Sequence, residues 1–171
     1  MIDYSLHTNL QVCSERINDS AFWVRDTESG VCELCNESLA QLHVINNKEL
    51  DVTLLKIDGC ADSGMTGKRC DCSISTSSKI YFIEFKEKED FSKKKSLRKS
   101  VQLAKKQLVE TINSFAVYNL DLVNTHAVVA LTPKLPHSYR KIVGTGTQSH
   151  IADFLSKTGC PNFDIGNIIN L

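Results

Sequence analysis

Asp71, a gap of twelve residues and the tripeptide Glu84-Phe85-Lys86 are the residues of this chain whose types and spacing could do chemistry. Two carboxylates on neighbouring strands can share one divalent cation. Mg²⁺ or Mn²⁺ takes oxygen ligands in octahedral geometry and keeps several of its waters. The backbone carbonyl of Phe85 offers a third protein oxygen. Lys86, beside such a cation, could orient or deprotonate a bound water, or neutralise charge on a scissile phosphate. Two carboxylates held close together raise one another's proton affinity, and a cation removes that cost. The chemistry that this set suits is hydrolysis of a phosphodiester.

The elements around these residues must bring them together. Lys79 to Lys86 (KIYFIEFK) reads as a strand that is apolar on both faces until its end, as strands covered on both sides are. Glu84 and Lys86 are two apart and so share a face, while Phe85 points into the core. Arg69 to Ile74 alternates, with Arg69, Asp71 and Ser73 on one face and Cys70, Cys72 and Ile74 on the other. A hairpin about Ser75–Ser78 sets Asp71 opposite residue 83, beside Glu84. Neighbouring strands lie about 4.8 Å apart, close enough for a shared ion.

The rest of the chain frames this hairpin. Glu33 to about Asn46 carries a rough helical stripe of Leu34, Leu39, Leu42, Val44 and Ile45. Val52 to Ile57 reads as a strand, and Asp58-Gly59 as the turn that ends it, the alternative being that Asp58 approaches a metal or substrate from the strand end. Ser92 to Ala116 is a long helix with Leu97, Val101, Ala104, Leu108, Ile112 and Phe115 at spacings of three or four, and Ser92 is its expected N-cap. Thr125 to Thr132 is a further buried strand stopped by Pro133 and Pro136. Gln148 to Lys157 reads as a short helix, and Phe163 to Leu171 as a last strand or extended tail. Phe22-Trp23-Val24 is a candidate short strand in a stretch without clean period. The order is helix, three strands, long helix, strand: an α/β chain with a mixed sheet flanked by helices.

With Asp71, the twelve-residue gap and Glu84-Phe85-Lys86 set between strands and followed by a long helix, the chain resembles the PD-(D/E)xK nuclease superfamily of restriction-endonuclease-like fold. The resemblance covers about residues 33–132 and departs from the pattern at Cys70, where proline is frequent. It implies an αβββαβ core, a metal-dependent nuclease using Mg²⁺ or Mn²⁺, and Asp71, Glu84 and Lys86 as the catalytic set, with Asp71, Glu84 and the Phe85 carbonyl on the metal. Members that take a further carboxylate from the first helix point to Glu37. Members that use a polar residue on the helix after the lysine point to Gln102 or Gln107.

Charge distribution bears on the partner. Residues 1–62 carry 4 Lys/Arg against 11 Asp/Glu, whereas residues 86–106 carry 9 Lys/Arg against 3 Asp/Glu, within a chain of zero net charge. The basic run, including Lys93, Lys94 and Arg98, opens the long helix just after Lys86 and could contact nucleic-acid phosphates. A solvated helix face is the alternative. DNA is the favoured substrate, in a setting of phage defence, restriction or DNA repair. A homodimer or a partner protein is expected to supply recognition, since 171 residues give limited surface for gripping a duplex.

The length suits one domain, 1–171, with 1–32 and 133–171 as peripheral extensions of the 33–132 core. No window approaches 18 apolar residues, and the first residues do not read as a secretory leader, so no membrane partner and a cytoplasmic location are expected. Seven cysteines are then expected to be mostly free thiols. Cys32-x-x-Cys35 with Cys70-x-Cys72 also permits a structural zinc site, against which stands the core-like setting of Cys70 and Cys72. His126 reads as a core histidine and His137 as a loop residue. Two readings compete with the enzyme: a non-catalytic binding or inhibitor module of the same fold, and ordinary surface charges at strand ends.

Overall fold

The structure, a computed structural model, describes residues 7–61, 67–86, 94–131 and 147–171. The chain is mixed α/β, with two mixed sheets. A short helix α1 (Thr8–Gln11) leads into β1 (Ser14–Ile17), β2 (Ala21–Asp26), β3 (Cys32–Cys35), β4 (Leu42–Ile45), β5 (Val52–Lys56), β6 (Cys72–Ser75) and β7 (Ile80–Lys86). Then come the long helix α2 (Lys94–Phe115), β8 (Thr125–Leu131), helix α3 (Thr147–Thr158), β9 (Asn162–Ile165) and β10 (Ile168–Asn170).

The main sheet runs β1-β5-β6-β7-β8-β9. Its β1–β5, β5–β6 and β6–β7 pairs are antiparallel, and β7–β8 and β8–β9 are parallel. Three consecutive strands therefore form a meander, and α2 crosses over to bring β8 back parallel to β7. The smaller sheet runs β10-β4-β2-β3, with β10 parallel to β4.

Strand β7 is apolar on both faces because both are covered. Ile80 and Phe82 lie in the core under α2, while Tyr81, Ile83 and Phe85 lie in the core between the two sheets. All six residues of the α2 stripe are buried to 3% exposure or less, as their spacing requires. Phe82 meets Phe115 edge-on at 5.1 Å between ring centroids. Each such fully buried large apolar side chain contributes roughly 1.5–3 kcal/mol by leaving water.

The helix expected over Glu33 to Asn46 does not form. Its residues make β3, a 3₁₀ turn Glu37–Leu39 and β4. The stripe needed Leu39 inside, and Leu39 is 51% exposed. Over Leu42–Ile45 burial alternates, and β4 pairs with β2 through Phe22↔Val44 and Trp23↔His43. A β-sheet thus covers the main-sheet face where a helix was expected. The segments read as peripheral also enter the framework: β1 and β9 extend the main sheet, and β2 and β10 belong to the smaller one.

The cysteines depart from expectation at one pair. Cys13 and Cys60 form a disulfide, while Cys32, Cys35, Cys70, Cys72 and Cys160 are free. Cys70 and Cys72 do not share a face either: Cys70 packs under α2 and Cys72 between the sheets, because the regular strand begins only at Cys72. Among the described residues no helix is long and apolar enough to cross a membrane. Ser92, Lys93, Thr132, Pro133, Pro136 and His137 lie outside the described residues, as does the side chain of Lys94.

Candidate active site

Alternation along β7 decides where Glu84 and Lys86 go. With Phe82 under α2 and Ile83 and Phe85 between the sheets, Glu84 and Lys86 project toward α2. The β6–β7 ladder pairs Cys72 with Ile83. Beyond that rung the register slips: Asp71 also bonds Ile83 through its own N–H, so it lies opposite Ile83 and beside Glu84. The hairpin expectation had Asp71 opposite residue 83, beside Glu84, and the backbone bond from Asp71 to Ile83 agrees with it.

Asp71 stands at the point where β6 gives up regular pairing. Its carbonyl accepts from two backbone N–H groups, Ile57 at 3.0 Å and Asp58 at 3.2 Å, which is a bulged end to the β5–β6 pair. Its own N–H donates to the Ile83 carbonyl at 3.1 Å. Its carboxylate takes over a place in the ladder: Oδ2 accepts the Phe85 N–H at 2.5 Å. In an antiparallel strand the N–H and C=O of one residue point to the same side. The Phe85 carbonyl therefore leaves β7 on the side of Asp71, as a third metal oxygen would have to.

Lys86 Nζ donates to Glu84 Oε1 and, at 3.3 Å, to Gln107 Oε1 on α2. Gln107 is itself held, its Nε2 donating to the Arg69 carbonyl at 2.9 Å. One turn on, Thr111 Oγ1 accepts the Cys70 N–H at 2.8 Å, and Glu110 accepts the Lys68 N–H at 2.8 Å. This flank of α2 thus fastens the segment leading into Asp71. Gln102 faces elsewhere: with Lys105, Lys106 and Val109 it lines a groove against Asp153 and Lys157 of α3. Of the two glutamines expected on this helix, Gln107 reaches the site. Arg98 is exposed on α2 and lies near enough to His150 of α3 for its charge to act there.

Asp71 is 7% exposed and Glu84 1%. Burying carboxylates so deeply is costly unless their oxygens are engaged. Glu84 Oε2 is buried with no hydrogen-bond partner among the described residues. Burial, and then the negative charge of Asp71, pushes the Glu84 carboxyl up to about 8, against the pull of Lys86. Burial likewise pushes Asp71 up to about 7; the Phe85 N–H holds it down, and the charges of Asp26 and Asp58 add to the rise. A buried orphan carboxylate oxygen beside a second carboxylate, with a backbone carbonyl on the same side, fits a hard divalent cation that keeps part of its water. Among the described residues no three His, Cys, Asp or Glu side chains are gathered to take an ion together. The direct side-chain ligands this geometry offers are therefore the pair Asp71 and Glu84.

Glu37 lies exposed on its 3₁₀ turn in the smaller sheet. The helix that was to carry it inward is absent, and the acids whose charge reaches Asp71 are Asp26, at the end of β2, and Asp58, at the end of β5. Asp58 had a signal in the sequence: it ends the strand next to the one that carries Asp71. Asp26 had none, because it comes near only through the packing of the smaller sheet. His126 stacks on Tyr81 at 4.7 Å, away from the α2 face.

Comparison of the chain with protein-family models, with curated proteins and with solved structures finds no match in any of the three.

Proposed function

We propose that the protein is a nuclease dependent on Mg²⁺ or Mn²⁺ that hydrolyses phosphodiester bonds, with DNA as the favoured substrate. The observation that carries this reading is Asp71 held on β7 beside Glu84 by its bonds to Ile83 and Phe85, with Glu84 Oε2 buried and without a hydrogen-bond partner among the described residues and Lys86 anchored between Glu84 and Gln107. The meander β5-β6-β7, the crossover helix α2 and the parallel strand β8 supply the order in which a PD-(D/E)xK nuclease carries these residues. The smaller sheet in place of the first helix is the departure from it.

Asp71, Glu84 and the Phe85 carbonyl would hold the cation. When bound, it lowers the pKa of a coordinated water and polarises the phosphoryl oxygens. Lys86 is set to donate to the nonbridging oxygen where charge develops, or to fix the attacking water; Gln107 keeps its ammonium from swinging to solvent. Arg98 and Lys99, exposed on α2, add positive charge for the substrate backbone. A homodimer or partner protein would extend the grip on a duplex.

The test is incubation of the purified protein with labelled duplex DNA, single-stranded DNA and RNA, in Mg²⁺, Mn²⁺ or EDTA. Cleavage of DNA in either metal and none in EDTA supports the reading. Tight binding without cleavage of any substrate replaces it with a non-catalytic binding module. Cleavage that persists in EDTA contradicts it.

A further inference from the structure

The turn after β5 puts one more carboxylate beside the pair. Asp58 follows Ile57, and both backbone N–H groups converge on the Asp71 carbonyl. The turn Ile57–Ala61 is then bent sharply by Gly59, whose φ of +70° a side chain would strain. Asp58 is half-buried, and its carboxylate accepts no hydrogen bond from a described residue. Its near neighbour in the β2–β3 turn is Gly30, where an added Cβ would come 3.8 Å from Asp58 Oδ2. The Asp58 carboxylate adds a like charge next to two buried acids, which a cation or a proton donor between them would offset.

A cation held by Asp71, Glu84 and the Phe85 carbonyl completes its octahedron with waters, and those waters need acceptors. We propose that Asp58 is the third carboxylate of this site, a positioning residue that accepts hydrogen bonds from the hydration water of the cation. This rests on the metal-site reading above and adds a residue to it. The charge of Asp58 already acts on both Asp71 and Glu84, pushing each toward its protonated form. The Cys13–Cys60 disulfide holds the turn two residues beyond Asp58, so the position of this carboxylate is braced from both ends.

Mn²⁺ titration followed by the electron paramagnetic resonance of the free ion tests this on the wild type, Asp58→Asn, Asp58→Glu and Asp71→Asn, with thermal melting in EDTA alongside. Outer-shell acceptors typically set 10–100-fold in metal affinity. Asp58→Asn is expected to bind Mn²⁺ about 10-fold or more weakly while melting no lower than wild type in EDTA, and Asp58→Glu is expected to recover part of the loss. Asp71→Asn is expected to lose binding outright. Wild-type affinity in Asp58→Asn, with binding lost in Asp71→Asn, overturns the role of Asp58 and leaves the metal site standing. Absence of Mn²⁺ binding by the wild type at millimolar metal overturns both.

Discussion

Asp71 sits beside Glu84 at the end of the β6–β7 pair, its N–H on the Ile83 carbonyl and one carboxylate oxygen on the N–H of Phe85. That hydrogen bond fixes the distance at which the two acids meet, since it ties the side chain of one to the backbone that carries the other. Lys86 balances one of the two charges, and the second has no ion pair with a described residue. Burial of the pair therefore favours a proton or a cation in it.

This sets the direction of the pH dependence. Glu84 is pushed up to about 8 and Asp71 to about 7, both far above their unfolded values near 4. The folded state therefore binds more protons than the unfolded one between about pH 4 and 8, so stability in EDTA is greatest below that range and falls as pH rises through it. Melting temperature measured in EDTA from pH 5 to 8.5 should decline, and millimolar Mg²⁺ should recover the loss at the upper end. Glu84→Gln should flatten the decline and remove the response to Mg²⁺.

Gln107 reaches Lys86 from one side and the Arg69 carbonyl from the other. Replacing it by leucine removes the tether and leaves the charge of Lys86 in place. A hydrogen bond to a charged group is worth about 1.5 kcal/mol, so kcat should fall roughly 10-fold with KM little changed. Lys86→Met removes the charge itself and should cost roughly 10²–10³-fold in kcat. Equal losses from the two variants in a steady-state assay would mean that Gln107 does more than position the lysine.

Much of this was legible in the sequence, and the limits are physical. The α2 stripe from Leu97 to Phe115 and the apolar run of β7 announced themselves because each has an unambiguous period and a large buried face. Residues 33–46 misled because four leucines and valines in fourteen positions fit a helical stripe as well as two short strands joined by a turn. The pairing of β4 with β2, a long-range fact, decided between them. Asp71, Glu84 and Lys86 could be set side by side from strand periodicity alone. Asp26 could not, since it arrives from a different sheet, and the Cys13–Cys60 bridge could not, since 47 residues separate its ends.

The same bridge should matter for stability. Closing a loop of this length removes about 4 kcal/mol of chain entropy from the unfolded state on the loop-closure account. Reduction by dithiothreitol, or Cys13→Ser, should lower the urea midpoint accordingly while the denaturant slope rises. An unchanged midpoint would show that the unfolded chain is restricted by other means.

Phe82 packs against Phe115 at the centre of the interface between β7 and α2. Phe82→Ala should destabilise the fold by roughly 3–5 kcal/mol, the cost of a large cavity in a packed core. Because Phe82 sits two residues from Glu84 on the same face, weaker metal binding should accompany the loss of stability. Chemical denaturation with and without Mg²⁺ reads both effects from one protein.

The central claim is that Asp71 and Glu84 together hold a cation that drives phosphodiester hydrolysis. The most direct measurement is nicking of supercoiled plasmid by wild type and by Glu84→Gln, in Mg²⁺ and in EDTA, at matched folded concentration. The account predicts nicking by wild type in Mg²⁺ alone and a loss of at least about 10²-fold in Glu84→Gln, the scale expected when a charge-stabilising group is removed. Equal nicking by the two proteins, or wild-type nicking undiminished in EDTA, would contradict it.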